Sequence, residues 1–235
     1  MAVVLAAGLL GAGIATSGYF ISSTIYKSNI GINTAEAKGL AERRVTSNRA
    51  NWEISFNVNA GANVVIKNLY ARFEDHQKII IDELKKAGFS DDEITIGAAD
   101  YYGRVFRDDN QQIVDRSYSL TGLVSIATTN VPLVAKARVN VGKLIAQGIS
   151  LDNRSPTYQF TNLNAIKPEM LKEATENARI AAATFAENVG AKVGGIRSAR
   201  QGGFNITDAG AEYGDRNKIE KNVRVVTTVT FYIEN

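Results

Sequence analysis

The chain has 235 residues, enough for one well-buried domain or two small ones after its N-terminal segment. Its 27 basic and 24 acidic residues leave a net charge of only +3, and no basic stripe interleaved with aromatic residues stands out, which argues against nucleic-acid binding. The chain contains no cysteine, which excludes disulfides, thiolate metal sites and thiol chemistry.

The N-terminal segment Ala2–Tyr26 carries no charged side chain. As a helix it would be about 37 Å long, at about 1.5 Å per residue, and would cross a bilayer core of about 30 Å. Tyr19 and Tyr26, followed by Lys27, resemble an interfacial belt with a charged stop. We therefore expect a transmembrane signal-anchor over residues 1–27. A cleaved signal peptide and a buried helix are the alternatives.

Two strands and a helix are predicted next. Thr34–Leu40 has a weak strand pattern and is followed by a polar break at Ala41–Asn48. Apolar and polar residues then alternate from Trp52 to Ala60, which predicts a strand with one buried face. Asn63–Ala87 has a helical period, with Gly88 at the position of a C-terminal cap. The apolar stripe of this helix comprises Ile66, Leu69, Phe73, His76, Ile80 and Leu84.

A hairpin follows the first helix of the domain. Phe89–Glu93 leads into a strand that begins near Ile94, and Asp108-Asp109-Asn110 marks a turn. The returning strand is predicted over Ile113–Thr128. Its buried face would comprise Tyr118, Leu120, Val124 and Ile126.

Two more helices are predicted in the second half. One begins near Asn130, with Pro132 in its first turn, and ends at Gly148. A strand comes next, through Tyr158, Phe160 and Leu163. Another helix begins at Pro168 and ends at Gly190, with a narrow stripe of mostly small residues. That stripe comprises Leu171, Ala174, Ala178, Ala181, Phe185 and Val189.

The C-terminal part is predicted to be β-structure. Lys192–Ile206 has the pattern of a strand whose glycine pairs, Gly194-Gly195 and Gly202-Gly203, indicate a bulge or a sharp bend. A polar loop over Thr207–Lys218 precedes the last strand, Val223–Ile233. The order after the anchor is β-β-α-β-β-α-β-α-β-β. This indicates an α+β fold with a mostly antiparallel sheet, packed helices and a split β-α-β-β-α-β order within it.

Few residues could carry chemistry. His76 is the only histidine and falls on an apolar helix stripe without a carboxylate pair at ligand spacing, so we interpret it as a packed boundary residue. The clusters Asp91-Asp92-Glu93 and Asp108-Asp109-Asn110 are interpreted as turn residues, with adventitious calcium as the alternative. The glycine pairs lack the context of a phosphate loop, and no G-x-S-x-G motif supports a hydrolase. We expect no enzyme activity and identify no catalytic, cofactor-binding or metal-binding residue.

Several stretches resemble the SIMPL-domain family, whose bacterial members include periplasmic immunogenic antigens. The most extensive is Ala174–Gly194, which is similar to the family's alanine-rich helix running through glycine into a strand. The family's opening pair of strands is resembled by Thr34–Gly39 with Trp52–Val58. Its turn from helix to strand resembles Gly88–Thr95, and its returning strand resembles Tyr118–Ile126. Glu93 stands where the family pattern has Asp, and Ser117 where Gly often precedes the tyrosine.

The resemblance assigns residues 28–235 to one SIMPL-like α+β domain. It implies an envelope location with the domain outside the cytoplasm. Together with the anchor, this predicts a single-pass protein of the bacterial inner membrane whose domain faces the periplasm or another extracytoplasmic side. It also implies assembly into ring-like or cage-like oligomers and a link to stress tolerance. It brings no catalytic residues and no cofactor.

The expected function is therefore a non-enzymatic, membrane-anchored envelope protein that forms a homo-oligomer. Its partners would be further copies of itself and, through residues 2–26, the membrane, but no nucleic acid. Small residues four apart in the anchor, such as Gly8, Ala12 and Thr16, favour close helix approach, and the terminal strand Val223–Ile233 is a candidate edge for pairing. The alternative is a binding module for a small apolar or envelope ligand of unknown identity.

Overall fold

A computed structural model describes residues 2–29 and 33–234, and within the first of these ranges it describes the side chains of residues 8 and 10–25. The helices are α1 (Ala2–Asn29), α2 (Ile66–Ala87), α3 (Val131–Lys143) and α4 (Leu163–Glu187), with 3₁₀ turns at Asp91–Glu93 and Leu144–Gln147. The first five strands are β1 (Thr34–Thr46), β2 (Arg49–Gly61), β3 (Ile94–Ile96), β4 (Asp100–Arg107) and β5 (Ile113–Thr128). The others are β6 (Ser150–Asn153), β7 (Thr157–Gln159), β8 (Lys192–Gln201), β9 (Asn205–Asp208) and β10 (Glu220–Glu234).

The strands form two sheets, and the chain is confirmed as an α+β protein. One sheet has four strands in the order β1-β10-β8, with β9 beside β10. The other has six strands in the order β3-β5-β2-β6, with β4 beside β5 and β7 beside β2. The pairs of β2 with β5, β6 and β7 are antiparallel, as are those of β5 with β3 and β4 and of β10 with β8.

The chain divides into two compact units, each made of segments that are distant in sequence. Unit 1 comprises Met1–Arg43, Asn164–Asn205 and Arg224–Asn235. Unit 2 comprises Arg44–Leu163 and Ile206–Val223.

The predicted anchor, Ala2–Tyr26, lies only partly within the described side chains, because those of residues 2–7, 9 and 26 fall outside them. In the portion of the chain that the structure describes, no helix has both the length and the hydropathy to cross a membrane.

The core of unit 2 lies between the six-stranded sheet and helices α2 and α3. As predicted, the alternation in β2 buries Trp52, Ile54, Phe56 and Val58 on one face. Gly122 of β5 provides the space for the Phe56 ring, whose centroid lies 4.9 Å from that of Phe73 on α2. A methyl group at position 122 would overlap both rings, so the stack requires glycine there.

Unit 1 is built on close approach of α4 to the four-stranded sheet. Ala178 and Ala182 of α4 are fully buried against Ala37, Val229 and Phe231 of the sheet. A Cβ atom added to Gly39 of β1 would overlap the backbone of Ala174 and Ala178. Small residues on both elements are therefore what allows the helix backbone to lie directly on the strand.

Strand β1 is longer than the sequence indicated, since it runs to Thr46 where a polar break was predicted. The residues that face the helix are Ala37, Gly39 and Ala41, which carry too little hydrophobic signal to reveal a strand. The predicted strand Tyr158–Leu163 is also wrong in extent. Only Thr157–Gln159 forms a strand, β7, and Leu163 already begins α4. The short strand β6, which precedes β7, was not predicted.

Helix α4 begins before Pro168, which lies inside it rather than at its start. Its buried side chains are four residues apart, at Met170, Ala174, Ala178, Ala182 and Ala186. The predicted stripe is therefore wrong in its second half, since Phe185 is 63% exposed and Val189 is 78% exposed. The buried face of α4 consists mainly of alanine, because the helix lies too close to the sheet to leave room for a phenylalanine side chain between them.

The last strand is not an edge, contrary to the expectation from its sequence, because β10 lies between β1 and β8. The bulge predicted from the glycine pairs is confirmed. Ile196 pairs with Phe231 and Val193 with Ile233, so Gly194-Gly195 together lie opposite the single residue Tyr232. A smaller difference is that Ile66, predicted on the apolar stripe of its helix, is exposed.

Candidate functional site

The most distinctive surface of unit 2 is a hairpin arm, formed by β4, its turn and the first residues of β5 (Asp100–Arg116). Asp100–Arg104 form an edge of the six-stranded sheet, since their partners Ser117–Thr121 also pair with β2, and only the part beyond Arg104 is two-stranded. Every residue of this hairpin arm is exposed. It nevertheless contains six large apolar side chains, each at least 40% exposed. They are Tyr101, Tyr102, Val105, Phe106, Ile113 and Val114.

The turn of the arm is ordered by Asp108. Its carboxylate Oδ1 accepts hydrogen bonds from the backbone N–H groups of Asn110, at 2.9 Å, and Gln112, at 2.8 Å. Gln111 has a φ of 62°, and its carbonyl accepts a hydrogen bond from the Arg107 guanidinium at 2.8 Å. The predicted hairpin turn is therefore confirmed, with Asp108 as a turn residue.

Apolar residues occupy both faces of the arm, because neighbouring residues in a strand point to opposite sides. On one face, Arg104 lies between two rings, with its Cζ atom 5.8 Å from the centroids of both Tyr102 and Phe106. On the other face lie Tyr101 and Val105, and the Tyr101 ring stacks on Tyr118 at 6.2 Å.

An exposed ribbon of this kind is poorly suited to exist alone in water. A two-stranded hairpin is only marginally stable by itself, and contiguous exposed apolar residues mark interaction sites in soluble domains. In the part of the chain that the structure describes, β4 pairs only with β5, so its other side is a row of free backbone donors and acceptors. The arm therefore combines two apolar faces with a free strand edge.

His76, the one histidine, is half-buried on α2, and its Nδ1 atom is buried without a hydrogen-bond partner. Burial, reinforced by the positive charge of Arg72, lowers the pKa of the imidazole, with a smaller opposing effect from Asp75. The ring is thus kept neutral and packed, as the sequence predicted for a boundary histidine.

The cluster Asp91-Asp92-Glu93 forms a 3₁₀ turn closed by a capping box with Ser90. The second carboxylate oxygen of Glu93 accepts the Ser90 backbone N–H at 3.0 Å, and the first accepts the Thr128 hydroxyl at 2.5 Å. These hydrogen bonds, that of Thr128 first, lower the pKa of Glu93. The acidic turn therefore fastens the end of β5 to the start of β3.

Sequence reasoning missed a buried charge. Lys221 of β10 is completely buried, and its ammonium donates hydrogen bonds of 2.6 Å to Asp208 and to the Asp215 carbonyl. Asp208 also accepts the backbone N–H groups of Asn217 and Lys218. The pair closes the polar loop between β9 and β10, and each polar group in it has a partner.

Hollows also lie on the surface. One of about 310 Å³ at the base of the arm is lined by Asn59, Tyr102, Arg104, Ser117, Tyr118 and Ser119. Another, of about 270 Å³, lies on the polar face of the four-stranded sheet between Lys38 and Arg200. Within the described residues, no group of three or more histidine or carboxylate side chains is placed to hold a metal ion.

The arm could have been recognised from adjacent apolar residues. Tyr101-Tyr102 and Val105-Phe106 put apolar side chains on both faces of one strand, a pattern typical of strands covered on both sides. The sequence pattern predicts only a hairpin. It does not show that, in the described part of the chain, no helix covers either face of the arm.

Comparison with known proteins identifies the family of the chain. No curated protein matches the sequence significantly. A family model matches residues 36–231, which is most of the chain. That family is described as SIMPL, a protein of unknown function (DUF541). The chain therefore belongs to the SIMPL family.

Proposed function

We propose that this SIMPL protein is a non-enzymatic, membrane-anchored protein of the bacterial cell envelope that assembles into a homo-oligomer through its hairpin arm. The observation that carries the proposal is the arm itself, Asp100–Arg116, which leaves apolar side chains exposed on both faces. Neither catalysis nor ligand transport by a monomer requires apolar side chains exposed on both faces of a hairpin. A second copy of the chain would cover it.

Support for the anchor comes from the N-terminal helix. The uncharged segment Ala2–Tyr26 lies within the 28 residues of α1. Its described large apolar residues are exposed, including Leu10, Ile14 and Phe20 at 67–72%. A lipid core is the environment that such an uncharged, apolar helix would favour. Thr16 donates its hydroxyl hydrogen to the Ala12 carbonyl at 2.8 Å, which satisfies that polar group within the helix.

Support for assembly comes from the chemistry of the arm's edge. A strand with one free side pairs readily with a strand of another chain, and apolar faces then pack around the new ladder. The arm carries both signs of charge, with three arginines (Arg104, Arg107 and Arg116) and four aspartates (Asp100, Asp108, Asp109 and Asp115), so two copies could also pair opposite charges. Ring-like or cage-like closure would need such contacts to repeat head to tail.

The expected absence of enzyme activity remains a proposal. The potentially reactive groups have structural partners or positions: His76 is packed on a helix, Glu93 fastens a turn, and Asp208 is paired with Lys221. We further propose that β2-α2-β3-β5-α3-β6 is the split β-α-β-β-α-β unit expected from the sequence. Its support is the sheet order β3-β5-β2-β6.

The second candidate function is binding of a small ligand, favoured by the hollow of about 310 Å³ at the base of the arm. Its walls include Tyr102 and Arg104, which offer one aromatic ring and one cation, beside the polar side chains of Asn59, Ser117 and Ser119. That composition suits a polar aromatic molecule better than an apolar one. Assembly is preferred because the same tyrosine and arginine belong to the larger exposed arm.

Orientation is tested with a reporter fused after Asn235. We propose that the folded domain lies outside the cytoplasm, on the basis of the family resemblance. A phosphatase that is active only outside the cytoplasm should then be active in whole cells, and a fluorescent protein that folds only inside should stay dark. Activity of the cytoplasmic reporter alone would overturn the envelope location.

Assembly is tested by light scattering on the detergent-solubilised full chain and on a variant that lacks residues 1–27. An oligomer of the truncated variant would locate the interface in the folded domain. Loss of the oligomer on truncation would locate it in the N-terminal helix. Monomers of both forms at all concentrations would end the assembly proposal.

A further inference from the structure

One end of unit 1 carries exposed apolar side chains that are not part of its core. Four exposed apolar side chains lie there: Phe185 and Val189 near the end of α4, Ile196 in β8 and Tyr232 in β10. Their exposed fractions range from 40% for Tyr232 to 78% for Val189. We call these four residues the apolar rim.

The backbone brings these residues to a single end. Helix α4 ends at Glu187, the chain reverses at Gly190 with a φ of 75°, and β8 begins at Lys192. Lys192 pairs in register with Glu234 at the end of β10. The end of the helix and the two strand ends therefore lie at the same edge of the unit.

The N-terminal segment enters the sheet at that same end. The backbone N–H of Ile233 donates to the Asn33 carbonyl at 2.8 Å, and β1 begins at the next residue. Helix α1 ends at Asn29, so five residue-to-residue steps separate it from Thr34. Even fully extended, five steps span only about 17 Å. The rim is thus tied closely to the end of α1.

The opposite end of unit 1 has the contrary character. Arg43 forms an ion pair with Glu169 at 2.6 Å, and Arg224 forms one with Glu42 at 3.5 Å. Along β1 these residues lie about 30 Å from Asn33, at about 3.3 Å per residue. The apolar rim therefore lies at the end next to α1, and these two ion pairs lie at the end away from it.

We infer that the apolar rim of unit 1 lies against the lipid surface, with Phe185 and Val189 inserted at the level of the headgroups. The inference rests on the proposed membrane anchor, which would hold the rim within reach of the interface. Tyr232 suits this position, because tyrosine places an apolar ring and a polar hydroxyl at the membrane boundary. The domain would then rest on the bilayer instead of moving freely on its tether.

Charge does not supply the attraction. Around this end the basic residues Lys192 and Arg197 stand beside the acidic residues Glu36, Glu187 and Glu234, so the two signs nearly cancel. Contact with lipid would come from burial of apolar surface, as for other interfacial segments. It should therefore be as strong on neutral phosphatidylcholine as on membranes with anionic lipids, and should not weaken with salt.

The natural absence of cysteine makes a direct test simple. The full-length variants V189C and K172C are each labelled with one fluorophore and reconstituted into phosphatidylcholine vesicles. Lys172 is an exposed residue of α4, about 22 Å before the end of that helix at Glu187, at about 1.5 Å per residue. Quenching is measured with lipids that carry a nitroxide near the headgroup, and with iodide in the water.

We expect lipid nitroxides to quench the label at position 189 and iodide to quench the label at position 172. Quenching of both labels by iodide alone would overturn the inference, since the rim would be in water. Protection of position 189 from both quenchers would also overturn it, because a second copy of the chain would then cover the rim. Vesicle flotation distinguishes failure of the proposed anchor from failure of the rim contact. A chain that does not float with the vesicles contradicts the proposed anchor itself, whereas a floating chain without lipid quenching contradicts only the rim contact.

Discussion

The Lys221 ammonium lies 2.6 Å from the Asp208 carboxylate, with 0% and 4% of the two side chains exposed. Removing one partner leaves the other charge buried and unpaired, which costs about 3–5 kcal/mol. We therefore predict that K221M and D208N each lower the free energy of unfolding, and that the double variant K221M/D208L loses less than the sum. Urea denaturation followed by circular dichroism measures all three. Losses below about 0.5 kcal/mol in both single variants, the range of ordinary surface substitutions, would refute the prediction.

The same ion pair predicts a loss of stability in acid. Burial opposes ionisation of Asp208, but the hydrogen bonds from Lys221 and from the Asn217 and Lys218 backbone outweigh it, so the pKa of Asp208 is lowered. The unfolded state, with an Asp pKa of about 3.9, then takes up the proton first. The stabilisation is present above that pH and is lost as the pH falls through the folded value. The wild-type chain should lose more stability than K221M/D208L between pH 5 and pH 3, and equal losses would contradict this.

Gly39 is predicted to be essential to the packing of unit 1. A side chain there would overlap the α4 backbone at Ala174 and Ala178, so G39A must push the helix off the sheet, at a cost of about 1–3 kcal/mol. Gly195, in β8 of the same sheet, has open space around the position of a Cβ atom. The matched variant G195A should therefore be neutral or more stable, by up to about 1 kcal/mol. Thermal unfolding compares the two, and equal midpoints would show that α4 yields easily.

His76 should contribute a second dependence on pH. Burial and Arg72 lower its pKa, so the unfolded imidazole, with a pKa of about 6.5, binds a proton more readily than the folded one. Stability should therefore fall as the pH drops below that value. The variant H76L removes both the titration and the buried Nδ1 atom that lacks a partner. Its urea midpoint should change less between pH 7.5 and pH 5.5 than that of the wild type, and an equal change would assign the effect to other groups.

Much of the fold could be predicted where burial used large side chains. Trp52, Phe56, Leu69 and Phe73 produce clear periods of two and of three to four, and the corresponding strand and helix were found. Where burial used alanine and glycine, the pattern failed. The face of β1 is made of Ala37, Gly39 and Ala41, and the buried side of α4 is largely alanine, so a strand was cut short and a helix face was placed wrongly.

The candidate site could be predicted only as a hairpin. The turn at Asp108 has a local signature, since its side chain bonds backbone groups two and four residues ahead. The exposure of Tyr102 and Phe106 depends on which elements cover the sheet, and that is decided by distant parts of the chain. The burial of Lys221 could not be predicted either, because its partner Asp208, the last residue of β9, lies in a stretch whose sequence is merely polar.

The central claim is that the hairpin arm holds the oligomer together, and the mass of the full chain in detergent tests it most directly. The double variant Y102S/F106S removes two exposed rings from one face of the arm, and Y213S removes an aromatic ring that is 81% exposed elsewhere in unit 2. All three side chains are exposed, so the variants should keep the wild-type circular dichroism spectrum. We predict that the wild type and Y213S have protein masses of at least twice the 25.4 kDa of one chain, and that Y102S/F106S has the mass of a single chain. An arm variant with the same oligomer mass as the wild type would contradict the claim.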